Sequence, residues 1–135
     1  MSMGSFSLLL KAFEGKTAGN MKNACQKIAM EAFSRIIYRT PVDTGHLRSN
    51  WGCQVGNPYA GTVSAFDKAG SATVAKAQMV AAQWDGQGSI YLCNNLPYSI
   101  PIEYGHSKVK SPAGMVRVTI AEMGGVAEKV ARGIK

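Results

Sequence analysis

Acidic residues are scarce in this chain: eight Asp and Glu stand against fifteen Lys and Arg. Between Asp85 and Glu122 there is a single acid, Glu103, and no paired-carboxylate motif occurs anywhere. There are two histidines, His46 and His106. The three cysteines, Cys25, Cys53 and Cys93, form no CxxC and lie in no histidine-rich spacing. An odd count without such spacing argues against a disulfide framework and predicts reduced, packed thiols in a cytosolic setting. A Gly-rich phosphate loop and a G-x-S-x-G motif are both missing, which removes two common routes to catalysis. No apolar run approaches the roughly 18 residues needed to span a membrane, so no membrane partner is expected. The opening MSMGSFSLLLKAF has neither a cationic start nor a cleavage site and does not read as a signal peptide, and Gly4 is not placed for myristoylation.

What is present fits one globular domain over residues 1–135, with residues 1–19 as an N-terminal arm or short helix. Hydrophobic residues make up 46% and charged residues 17%, enough for a core without staples. The net charge of +7 invites an anionic neighbour, either nucleic acid or an acidic protein face; solubility is the plainer reading.

Over residues 20–39 the apolar side chains Cys25, Ile28, Ala29, Ala32, Phe33, Ile36 and Ile37 fall at helical spacing. Pro41 ends that helix, because the residue before a proline avoids the helical region. A strand is expected near 51–55 and a second, short one over 62–66. Ser71 can cap a helix running to about residue 84, with Val74, Ala77 and Ala81 on its inner face. Residues 89–93 read as a strand, and 99–104 as an extended edge interrupted by Pro101. A last helix starts from Ser111 as N-cap and Pro112 as first residue, with Gly124-Gly125 weakening its middle. Helix, strands, helix, strand, helix gives an α+β fold: a small antiparallel or mixed sheet packed with a long N-terminal helix, a middle helix and a C-terminal helix.

Two segments are dense in residues with special backbone or hydrogen-bonding properties. In the first, TPVDTGHLRSNW, Asp43 can accept from amides in a tight turn and Gly45 can supply positive φ. Leu47 and Trp51 can anchor the segment on a core, and the Arg48 fork suits a carboxylate or phosphate. In the second, NNLPYSIPIEYGHSKVKSPAGMVR, Asn94-Asn95 and Pro97 make a turn, and Tyr98 and Tyr104 are amphipathic anchors of the kind used at interfaces. Glu103 is the natural partner of Arg48 or Arg117. Lys108 and Lys110 form a small basic loop that could meet DNA or an acidic partner. Each has a plain structural alternative: an ordinary turn, a surface acid, a solvated loop.

These segments together resemble the signature of a neck or tail-completion family of long-tailed bacteriophages. The first matches at Pro41, Val42, Asp43, Thr44, Gly45, Leu47, Arg48 and Trp51. The second matches at Asn94, Asn95, Pro97, Tyr98, Ile102, Glu103, Tyr104, Gly105 and Ser107, then at Pro112, Gly114, Met115, Val116 and Arg117. The likeness runs from about residue 20 to the C-terminus. It departs at Asn50, where the pattern has serine, and at Ser99, where it has alanine. It implies a non-enzymatic virion protein without cofactors, assembled in the host cytoplasm into a ring at the head–tail junction. Six subunits are expected, with twelve the alternative. The implied partners are head-completion or connector proteins, the tail terminator or tail tube, and genomic DNA in the channel. The competing readings are a metal-dependent nuclease or hydrolase using His46, Glu103 and His106, and a basic DNA-binding module.

Overall fold

A computed structural model describes residues 18–42, 44–97, 99–104 and 114–133. Asp43, Tyr98, Gly105, His106, Lys108, Lys110, Ser111 and Pro112, and the N-terminal arm up to residue 17, lie outside the described residues.

Helix α1 spans Ala18–Arg39. Its apolar face supplies Ala24, Ile36 and Ile37 to the interior. Thr40 closes it: the buried hydroxyl donates to the Ile36 carbonyl at 2.9 Å and accepts from the Trp51 indole N–H at 2.7 Å. A buried hydroxyl and a buried indole are thereby both satisfied, which is the condition for burying either without cost. A single helical turn, α2 (His46–Ser49), leads into strand β1 (Trp51–Val55). Helix α3 (Ser71–Ala82) follows, then strand β2 (Ile90–Asn94), short helix α4 (Ser99–Glu103) and helix α5 (Val116–Arg132).

The two strands pair antiparallel, from Trp51 opposite Asn94 to Val55 opposite Ile90. An isolated pair of strands is marginal in water. Here α3 packs on β1, and α1 packs on both α3 and α5. Ile36, Ile37, Trp51, Val74, Ala77 and Met115 form the main core, with Phe33, Leu92 and Ile102 against it. At the other end of the α1–α5 seam, Ala24 and Ala131 meet in a smaller cluster with Ile28 and Val130. The architecture is α+β, with long, middle and C-terminal helices around a two-stranded antiparallel sheet.

Four expectations are corrected. Residues 62–66 form no strand. Their backbone groups bond instead to side chains of the first motif: Val63 N–H and C=O to Asn50, and the Ala65 carbonyl to Ser49 and His46. Ser71 is not the cap of α3; Gly70 holds that position at φ 84, and the Asp67 carboxylate accepts from the N–H groups of Gly70 and Thr73. Residues 99–103 are helical and not extended. Pro101 falls in the first turn, where its missing N–H forfeits nothing, and Ser99 bonds the Leu96 carbonyl through both N–H and hydroxyl. Finally, α5 begins at Val116, later than a Ser111 cap would give, and runs unbroken through Gly124-Gly125.

Gly45 behaves as its motif predicts, with φ of 90°. A Cβ there would lie 2.6 Å from the Lys68 nitrogen and 2.8 Å from the Asp67 nitrogen. Left-handed strain and a backbone clash therefore coincide. Gly45→Val is expected to destabilise the protein by roughly 2–5 kcal/mol. Urea denaturation of the two proteins checks this, and a loss under ~1 kcal/mol would show that the 67–68 segment yields.

Candidate functional site

The first motif builds a clasp around residues 63–70. The Gly45 carbonyl accepts from the Ser49 and Asp67 N–H groups at 3.0 and 3.1 Å. The Arg48 guanidinium donates to three backbone carbonyls, those of Tyr38, Thr40 and Lys68. It therefore ties the end of α1 to the segment preceding α3, and it is not the partner of Glu103. Burial lowers the Arg48 pKa from its ordinary value, with nearby Asp67 and then Tyr38 opposing that effect. Burial alone would raise the Asp67 carboxyl; the Thr73 and Gly70 hydrogen bonds and the charge of Arg48 bring it below its ordinary value.

Asn50, 2% exposed, acts as a surrogate strand neighbour. Its Oδ1 accepts from Val63 N–H at 2.8 Å, and its Nδ2 donates to the Val63 and His46 carbonyls at 3.1 and 2.8 Å. A serine here would offer one hydroxyl oxygen in place of the two separate polar atoms that Asn50 uses. Asn50 stands out in the sequence only as a departure from the resembled pattern, and Asp67 is not singled out there. The signal for Asp67 was there: an acid a few residues ahead of a helical run is a capping candidate. Asn50 carried no comparable local signal.

The second motif builds a clasp at the start of α5. One Glu103 oxygen accepts from Met115 and Val116 N–H at 2.8 and 2.7 Å. The other accepts from Arg117 N–H at 2.9 Å and Arg117 Nε at 3.1 Å. Helix α5 has no side-chain cap of its own, so a carboxylate from α4 takes the orphan donors and meets the positive end of the helix dipole. The approach requires Gly114, at φ 90°, since a Cβ there would lie 2.3 Å from the Glu103 carbonyl oxygen. The expected partner of Glu103 thus resolves to Arg117, whose guanidinium also lies over the Tyr104 ring at 4.6 Å.

The two clasps are joined. Asn94 donates to the Leu47 carbonyl at 2.9 Å, and Asn95 donates to the Tyr59 and Gly61 carbonyls at 3.1 and 3.0 Å. Leu47, Trp51 and Met115 are buried anchors, whereas Pro97 is exposed. Phe66, Ile100 and Tyr104 stand 65%, 64% and 71% exposed on the segments that the clasps hold.

Both Glu103 oxygens are engaged, and His46 Nδ1 lies 3.1 Å from the Ala65 carbonyl with its ring tilted against Phe66. Among the described residues no group of three His, Cys, Asp or Glu is placed to hold a metal. A depression of about 450 Å³ contains Cys53, Gln83, Asp85 and Gln87. Burial, and secondarily Cys93, pushes the Cys53 thiol up to about 11, so it is protonated at neutral pH. Among the described residues no helix is long and apolar enough to cross a membrane. Comparison with family models, with curated proteins and with solved structures found no match to this chain.

Burial alone would raise the Glu103 carboxyl, but the bonds from Val116, Arg117 and Met115 N–H and the Arg117 side chain hold it below its ordinary value. Its stabilising contribution is therefore complete above the unfolded-state pKa of about 4.3 and disappears as pH falls through the lower folded value. Glu103→Gln is expected to cost about 1–3 kcal/mol at pH 7. The gap between the two proteins should close on acidification below about pH 4. Denaturant midpoints measured from pH 3 to 7 check this; a gap independent of pH would mean that the charge contributes nothing.

Proposed function

We propose that this protein is a non-enzymatic structural subunit of a long-tailed bacteriophage, forming a closed ring at the neck and needed for tail completion and head–tail joining. One observation carries the reading. The polar motif side chains Arg48, Asn94, Asn95 and Glu103 spend their hydrogen bonds inside the fold, while Phe66, Ile100 and Tyr104 beside them are left in solvent. Groups that would do chemistry in an enzyme here fix the position of apolar and aromatic side chains. Such side chains form the cores of protein interfaces.

A closed ring needs two different surfaces on each subunit that meet head to tail. Phe66, on the segment held by the first clasp, and Ile100 with Tyr104, on the element held by the second, provide candidates for the two. Six copies are the favoured number and twelve the alternative. The partners in this reading are the head-completion or connector proteins on one side and the tail terminator or tail tube on the other, with genomic DNA passing through the channel. The finished protein would reside in the virion, after assembly in the host cytoplasm.

Phe66→Ser and Ile100→Ser should each leave monomer stability within about 0.5 kcal/mol, since both side chains are already solvated. Each should reduce ring formation by sedimentation and the count of joined heads and tails when supplied to a phage lacking this gene. Normal joining by both variants, or wild-type protein found only as a dispersed monomer in finished particles, would refute the proposal.

A further inference from the structure

The chain's two kinds of basic residue are used differently. All five arginines are bonded within the fold: Arg35 and Arg39 to Glu122, Arg117 to Glu103, Arg132 to Glu128, and Arg48 to backbone carbonyls. The five described lysines, Lys22, Lys27, Lys68, Lys76 and Lys129, have no acidic partner among the described residues. Apart from Arg48, whose charge is held by carbonyls, the unpaired positive charge of the described residues is carried by lysine.

Two of those lysines share a site. Between the first turns of α1 and the last turn of α5 lies a groove of about 350 Å³, where Asn20, Asn23 and Lys27 face Lys129 over Ala24 and Val130. No acid lines it. The start of α1 and the end of α5 meet here, so their opposed dipoles largely cancel and the side chains set the sign. Glu128, on the adjacent turn of α5, is bonded to Arg132.

We infer that this groove binds the phosphate backbone of duplex DNA without reading its sequence. Three observations select that partner. A second copy of this chain offers the groove no uncommitted acid among the described residues. Glu31, Glu103, Glu122 and Glu128 hold arginines, Asp67 holds the start of α3, and Asp85 accepts from Gln87. An acidic protein partner would need apolar anchors, and among the described residues none of the large exposed apolar side chains, Phe66, Ile100 and Tyr104 included, lines the groove. Phosphate contact needs no such anchor; lysine point charges suffice. Lysine charges that meet only the phosphate backbone carry no sequence information, so the contact is indifferent to sequence. The inference does not depend on ring formation.

The test is fluorescence anisotropy of the full chain with two duplexes of unrelated sequence, between 50 and 200 mM salt. The wild type should bind both with equal affinity. Lys27→Gln with Lys129→Gln should weaken binding about tenfold or more near 0.1 M salt and lower the slope of log K against log salt by about 2. Lys68→Gln with Lys76→Gln, away from the groove, should change it less. Unchanged binding by the groove variant, equal loss in the control variant, a preference between the duplexes, or displacement by polyglutamate at matched charge would each overturn the inference. Circular dichroism confirms folding, and ring assembly is scored separately by sedimentation, so failure of either reading leaves the other decided on its own data.

Discussion

The N–H groups at the start of α5 have no partners in their own helix, and the Glu103 carboxylate takes those of Met115, Val116 and Arg117 together. Much of the domain follows from that contact. It places Met115, 1% exposed, in the core beside Trp51 and Ile37. It requires a glycine at 114, since any side chain would collide with Glu103. It sets Arg117 over Tyr104 and leaves that ring facing outwards. A charge so engaged gains from the helix dipole as well as from its hydrogen bonds.

The same device recurs in the first motif. A two-stranded sheet satisfies few backbone groups, and the long segment between β1 and α3 has no ladder of its own. Asn50, Ser49, Arg48 and Asp67 stand in for the missing strand, each reaching main-chain atoms remote in sequence or across a turn. Where that main chain is half-buried, as at the Val63 and Gly70 N–H groups, it must be paired with something, and here side chains do it. This explains why both motifs are rich in polar residues.

Division of labour among the charges follows. Guanidinium forks suit several fixed acceptors at once and are spent on the scaffold. Ammonium groups on flexible stems stay in solvent, where they act through long-range attraction. The fold is thereby held by arginine and charged by lysine.

The sequence alone determined what depends on short-range periodicity and sterics. The span of α1 and its stop before Pro41, the strand at 51–55, the inner face of α3 and the positive φ of Gly45 were all legible, because 3.6-residue and 2-residue spacing and left-handed sterics act over a few neighbours. Only the tertiary structure decided the partners of the polar groups. Glu103 could pair with Arg48 or Arg117 by chemistry alone, and the choice fell to the core, against which Ile102 and Val116 set the end of α4 beside the start of α5. Residues 62–66 had strand-like composition but found side-chain acceptors and donors before any strand edge. Residues 99–103 looked extended because of Pro101, yet a first-turn proline is compatible with a helix once Leu96 and Glu103 fix its two ends. A hydrogen-bonding group announces its type in the sequence, but its partner is set by which surfaces the core brings together.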